Sequence, residues 1–219
     1  MPKRVDEQEQ IARIVHAVCT VLAARGLDGL NLRAVAQEAG CTTGLLMHWF
    51  PSKADLVQAA LARTVAAQNA RVTRRLAANP GDVLGALAEF LPVDSQRQAE
   101  SRIRLSFLAL AVSTPTLMAD HRQRYAMFRR EIITHLKEVR YEGASPSKVA
   151  DRIIVLVDGI CVGATLDPLY WTPRRQRAML AANITDVAER TRRVYRGSVQ
   201  GRLKRVAAKR RRGAQEEAN

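Results

Sequence analysis

The 219-residue sequence predicts an all-α fold, and three observations carry that prediction. Apolar residues recur at steps of three and four through nearly the whole chain. No run alternates apolar with polar residues, and no Asn-Gly or Asp-Gly pair joins two β-branched runs, so strand and hairpin signals are missing. Three pairs, Thr114-Pro115, Ser145-Pro146 and Thr172-Pro173, each set a capping hydroxyl before a proline at the first helical position. Together these predict about nine helices: an N-terminal helix-turn-helix unit of three, then a larger bundle.

The first helix rests on Ile11, Ile14, Val15, Val18 and Leu22, which form one apolar stripe that Gly26 ends. Two short helices follow within residues 31–50. Asn31 caps the first, Val35, Ala36 and Ala39 face inward, and Gly40 supplies a left-handed turn residue. Thr42 caps the second, whose Leu46 and Phe50 face the core. Ser52-Lys53-Ala54-Asp55 has capping-box spacing for a third, connecting helix. Breaks at Asn79-Pro80-Gly81 and Tyr141-Glu142-Gly143-Ala144 divide the remainder, in which Leu105–Val112, Tyr125–Leu136 and Val149–Ile160 supply apolar faces. The organisation expected is a unit over 1–52, a bundle over 53–197, and a basic, disordered tail over 198–219.

The apolar fraction of 47% and charged fraction of 26% are those of an ordinary globular protein, with enough chain to bury about 70% of the unfolded surface. The net charge of +14 invites a nucleic-acid reading, but residues 174–212 hold 14 Lys and Arg against 2 acids, leaving only +2 elsewhere. That distribution supports a second reading, a non-specific polyanion binder driven by the tail. Catalysis lacks parts: His16, His48, His121 and His135 have no metal-ligand spacing, and neither G-x-S-x-G nor a P-loop occurs. No enzyme, cofactor or metal site is expected. Cys19, Cys41 and Cys161 are odd in number and far apart, which argues against a disulfide framework. The charged N-terminus has no secretory pattern, and the longest apolar stretch, Ile153–Leu166, is interrupted by Asp158. A cytoplasmic protein with no membrane partner is expected.

The small, polar start of the second short helix, Thr42-Thr43-Gly44, suits a backbone approaching a DNA groove and would pack poorly in a core. Leu32-Arg33-Ala34-Val35-Ala36, Gly40, Thr43-Gly44-Leu45-Leu46 and Trp49-Phe50-Pro51-Ser52-Lys53-Ala54-Asp55-Leu56 resemble the DNA-binding signature of the TetR family of transcriptional repressors. The resemblance implies that Thr43, Gly44, Leu45 and Met47 enter the major groove, while Arg33, Thr42, Trp49 and Lys53 hold phosphates. Met47 departs from the family pattern, which commonly has a phosphate-donating tyrosine there, and a thioether cannot donate. His48 is expected to be half-buried packing.

Beyond residue 60 the resemblance is to the BetI-like branch, carried by Leu91-Pro92-Val93-Asp94, Arg102–Phe107, His121–Ala126 and Leu156-Val157-Asp158-Gly159. Ser101 stands where that branch is expected to have tryptophan, which weakens the transfer of a quaternary-ammonium ligand. The implied partners are a palindromic DNA operator, a second copy of the chain, and a small-molecule effector that releases the DNA. Candidate pocket residues are Phe90, Phe107, Leu110, His121, Tyr125, Phe128 and Trp171. In the family the last two long helices form a four-helix dimer interface. Two stripes fit it, Ile153, Leu156, Val157 and Ile160 on one helix and Leu180, Ile184 and Val187 on the next, though intrachain core explains the same spacing.

Overall fold

The computed structural model describes residues 2–138 and 145–187, together with 189 and 193. The described residues form helices and no strand: α1 (Pro2–Gly29), α2 (Leu32–Ala39), α3 (Thr43–Trp49), α4 (Lys53–Ala78), α5 (Val83–Ala88), α6 (Ser95–Ala111), α7 (Pro115–Glu138), α8 (Pro146–Leu166), and α9 over 173–187. α1 is interrupted where expected, Gly26 adopting φ 65°. The three proline-marked starts also hold, although Ser145 makes no side-chain cap bond, whereas Thr172 Oγ1 accepts from the Arg175 amide at 3.4 Å. The expected break at 141–144 and tail at 198–219 lie outside the described residues.

By length and composition Glu7–Gly29 would serve to cross a bilayer. Here its apolar stripe, Ile14, Ala17, Val18, Val21 and Leu22, is buried with residues of α2, α3, α4 and α6. This first apolar cluster unites residues 14–61 with Ile103, Phe107, Ala111 and Leu117. Packing therefore does not break at residue 52: α4 belongs to both halves, and α6 lies against α1. A second cluster gathers Val83, Leu87 and Leu91 with Leu136, Ile153, Val157, Leu180 and Ile184.

A charged clamp fixes the C-terminal half of α4 to α5 and α6. Arg71 makes a two-pronged bond to Glu100 at 2.8 and 2.6 Å, and Arg75 reaches Asp82 at 2.8 Å and Glu89 at 3.2 Å. Glu89, 7% exposed, also receives Arg97, so one buried carboxylate answers three guanidinium groups. Bidentate pairing of this kind sets direction as well as distance, which holds the lower end of α4 in register with the bundle.

The structure corrects the expected dimer residues. Ile153, Val157 and Ile160 are 1–2% exposed and Leu180, Ile184 and Val187 are 0–1% exposed within a single chain, with half-buried Leu156 packed against the same cluster. Side chains so covered have no surface to offer a second copy. The opposite face of α8 is the open one: Val155, Gly159, Val162 and Leu166 follow one another at helical spacing and are exposed, as are Leu169 and Tyr170 beyond it and Met179 on α9.

Candidate functional site

The helix-turn-helix is built by short-range bonds that the residue types dictate. Asn31 Oδ1 accepts the Ala34 amide at 2.9 Å, opening α2. Gly40 closes it with φ 62° and ψ 40°, a conformation that disfavours a side chain, and lets the Cys41 amide reach the Ala36 carbonyl at 3.0 Å. Thr42 Oγ1 then accepts from the Leu45 amide at 3.2 Å, starting α3. Ser52 and Asp55 form the expected reciprocal box: the Ser52 amide donates to Asp55 Oδ2 at 2.9 Å and the Asp55 amide to Ser52 Oγ at 3.2 Å.

Buried Leu46 turns α3 so that Thr42, Thr43, Gly44 and Met47 are exposed, with Leu45 half-buried beside them. Arg33, Thr43, Met47, Ser52 and Lys53 share one shallow depression floored by Leu30 and Leu56. A side-chain carbon added at Gly44 would meet only Thr42 Oγ1, at 4.0 Å. No described residue requires glycine there. Met47, 50% exposed on the same face, is the large apolar group of the depression.

One of the residues named for phosphates, Trp49, is placed differently from the expectation. Trp49 Nε1 is buried with no hydrogen-bond partner, its ring packed on the first apolar cluster and edge-on to His48 at 4.9 Å. The indole N–H is not presented to solvent, because the bulk of the ring is needed in the core. Conversely His48, expected to be half-buried, is exposed. Lys53 donates to the Leu27 carbonyl at 2.6 Å, which ties the start of α4 to the end of α1 and leaves two ammonium hydrogens for another acceptor.

Some distance along α4, a cavity of about 220 Å³ opens between α4, α6, α7 and α8. Of the seven candidate residues, Phe90, Phe107, His121, Tyr125 and Phe128 line it; Leu110 and Trp171 do not. Leu110 packs against the first cluster, and Trp171 lies over Gly163, where a side-chain carbon would stand 2.7 Å from its indole nitrogen. Ser101 is also elsewhere, its hydroxyl 2.6 Å from that of Thr165. A larger space of about 570 Å³ adjoins the cavity, sharing Asn69, Phe90, Met127, Phe128 and Glu131.

Sequence reasoning missed the polar lining: Gln68, Arg104, Arg124, Glu131 and Asp158. Burial pushes the Asp158 carboxyl above the usual carboxylate range, against the opposing pull of Arg104 and of the Tyr125 hydroxyl, which donates to Oδ2 at 3.3 Å. The same burial and the nearby Asp158 push the Tyr125 phenol up to about 12. For two of them a signal existed, since Gln68 interrupts the apolar face of α4 and Asp158 that of α8.

A capped helix-turn-helix with a small-residue recognition face, joined by one helix to a bundle holding a cavity open on one side, defines a ligand-responsive DNA-binding regulator. Residues 14–60 match the family model of bacterial regulatory proteins of the tetR family, and residues 81–189 match that of the BetI-type transcriptional repressor C-terminal region. The chain belongs to the TetR family of transcriptional regulators. Among curated relatives it is 26% identical over 196 residues to the transcriptional regulator PksA of Bacillus subtilis, covering 85% of this chain and 94% of that protein. It is 26% identical over 176 residues to BetI of Vibrio parahaemolyticus, covering 77% and 86% respectively. A regulator from Saccharomonospora viridis, solved in complex with choline, has the same fold at 20% identity and a TM-score of 0.73, over 81% of this chain and 96% of that one. A Rhodococcus regulator superposes with a TM-score of 0.71 at 24% identity, over 85% and 96%.

Proposed function

We propose that the protein is a homodimeric repressor that binds a palindromic operator through Arg33, Thr42, Thr43, Gly44, Leu45, Met47 and Lys53 and releases it when a small molecule occupies the bundle cavity. The observation that carries the DNA-binding assignment is the depression shared by Arg33, Thr43, Met47 and Lys53 beside a glycine that the fold itself does not need. Thr hydroxyls and lysine suit phosphates, and Met47 and Leu45 suit a thymine methyl. Trp49 supports this face from behind and is not one of its donors.

Helix α4 supplies the coupling. Its first residue, Lys53, borders the DNA depression, while Leu61, Val65 and Gln68 line the cavity. A ligand that favours one placement of α4 moves the recognition helix with it, and a differential affinity of about 5.5 kcal/mol would carry the protein from almost wholly bound to almost wholly released. Dimerisation through the exposed stripe of Val155, Gly159, Val162 and Leu166 supplies the second half-site, roughly 34 Å from the first. Gly159 has no heavy atom within 4 Å of where a side chain would begin, so a partner helix can approach its backbone closely. Such a dimer acts where the chromosome is, in the cytoplasm.

Selection of the purified protein against a random DNA pool at about 150 mM salt, where screening reaches about 8 Å, tests the assignment. Enrichment of a palindrome is the expected result. Tight binding without enrichment would replace it with the tail-driven polyanion binder.

A further inference from the structure

The cavity holds two polar groups that the protein itself leaves unanswered. Gln68, 4% exposed, lines it from α4 and makes no hydrogen bond to any described residue. Arg104 lines it from α6; its Nη1 donates only to the Cys161 sulfur at 3.5 Å, a weak acceptor, and its Nη2 is buried with no partner. A guanidinium keeps its charge at any pH a protein meets, so burial cannot be relieved by deprotonation as it can for a carboxylate. Asp158, in the same wall, takes its hydrogen bond from Tyr125, and Arg124 is already paired with Asp120 at 2.7 Å. Asp158 offsets the Arg104 charge without bonding to it, so what Arg104 Nη2 lacks is a hydrogen-bond acceptor, which a ligand in the cavity can bring.

We infer that the effector is a small, mainly apolar molecule carrying an acceptor oxygen, a carbonyl or carboxylate, that Arg104 and Gln68 hold by hydrogen bonds. This deepens the reading of the cavity as the effector site and rests on it. The rings of Phe107 and Phe128 take the apolar body, and about 220 Å³ exceeds the roughly 150 Å³ that accommodates benzene. A quaternary ammonium cannot accept a hydrogen bond, so whatever it gains from the Asp158 and Glu131 carboxylates of the same lining, it leaves Arg104 Nη2 unanswered. Choline, bound by the Saccharomonospora regulator, is thus disfavoured here.

The test uses the full chain and three probes on one skeleton: 4-ethylbenzoate, 4-ethylacetophenone and (4-ethylbenzyl)trimethylammonium, titrated by calorimetry. The carboxylate and ketone are expected to bind at least tenfold more tightly than the ammonium. Arg104→Met should erase at least tenfold of the carboxylate's affinity, and Gln68→Leu should weaken the ketone. An ammonium that binds as well as its partners, or no binding by either oxygen-bearing probe, would overturn the inference; both outcomes are read on the wild-type protein, whatever the variants do. A carboxylate that binds through Arg104 yet leaves operator affinity unchanged upholds the ligand class and refutes the effector role.

Discussion

Glycine is a poor helix residue, and Gly44 sits in the first turn of a recognition helix only seven residues long. Replacing it with alanine relieves the unfolded-state entropy that glycine adds, worth about 0.5–1 kcal/mol at a site the side chain can adopt without strain. The added carbon meets only Thr42 Oγ1, at ordinary contact distance of 4.0 Å, so no steric cost inside the chain opposes that gain. For a chain of this length about 1 kcal/mol raises the melting temperature by roughly 2–4 °C. On DNA the sign reverses. The same methyl group stands on the exposed face between Thr43 and Leu45, and holding the helix off the groove should weaken operator binding tenfold or more, about 1.4 kcal/mol. Thermal melting and fluorescence anisotropy on a labelled operator read the two effects separately. Stabilisation with unchanged DNA affinity would refute the placement of α3 in the groove; destabilisation would refute the claim that the fold does not use this glycine.

Three further outcomes follow from the geometry. Leu166→Glu on the exposed face of α8 should shift the dimer to monomer in sedimentation with little change in the monomer's own core, whereas Ile153→Ala on the buried face should cost about 2–5 kcal/mol of stability; the reverse pattern would restore the buried stripe as the interface. Trp49→Phe keeps the packing and deletes an N–H that reaches no solvent, so operator affinity should stay within about twofold, and a loss beyond tenfold, about 1.4 kcal/mol, would make the indole a phosphate donor after all. Asp158 binds its proton more tightly in the folded chain than in the unfolded one, so the folded state bears a penalty once the carboxyl ionises. That penalty is present above the raised folded-state value and disappears as pH falls to the unfolded one. Asp158→Asn should therefore stabilise the protein at neutral pH, by an amount that shrinks as urea denaturation is repeated at lower pH; a gain independent of pH would contradict the burial argument.

The features legible in the sequence were those decided within four residues. Asn31, Gly40, Thr42 and the Ser52–Asp55 box act on amides one turn away, so residue type and spacing suffice to place the helix boundaries, while the DNA-binding reading also needed the small Thr42-Thr43-Gly44 face and the family resemblance. Faces were harder to read. α8 carries apolar residues nearly all round, so a periodic stripe of Ile153, Val157 and Ile160 exists alongside another of Val155, Val162 and Leu166. Spacing finds both stripes and cannot say which the chain covers itself. The positions of α5, α7 and α9 decide that, and α9 is held by contacts distant in sequence, among them Gln176, whose amide donates to the Pro92 carbonyl at 3.2 Å.

The cavity illustrates the same limit with a different remedy. Aromatic residues were natural candidates, and five of the seven candidate residues line it, but they describe only its apolar walls. The chemistry that selects a ligand comes from polar residues standing where the helical period calls for apolar ones. Gln68 follows Leu61 and Val65 on the inner face of α4, and Asp158 breaks the apolar run of α8. In the sequence Asp158 weighed against a membrane span and stood in a segment similar to the BetI-like branch, and its inward position was not read as part of a site. A polar side chain on a buried face is costly unless something answers it, and where the chain gives no answer the deficit describes the missing partner. Arg104 and Gln68 define such a deficit, and their placement on α6 and α4 means that whatever fills it bridges the bundle to the helix that carries Lys53.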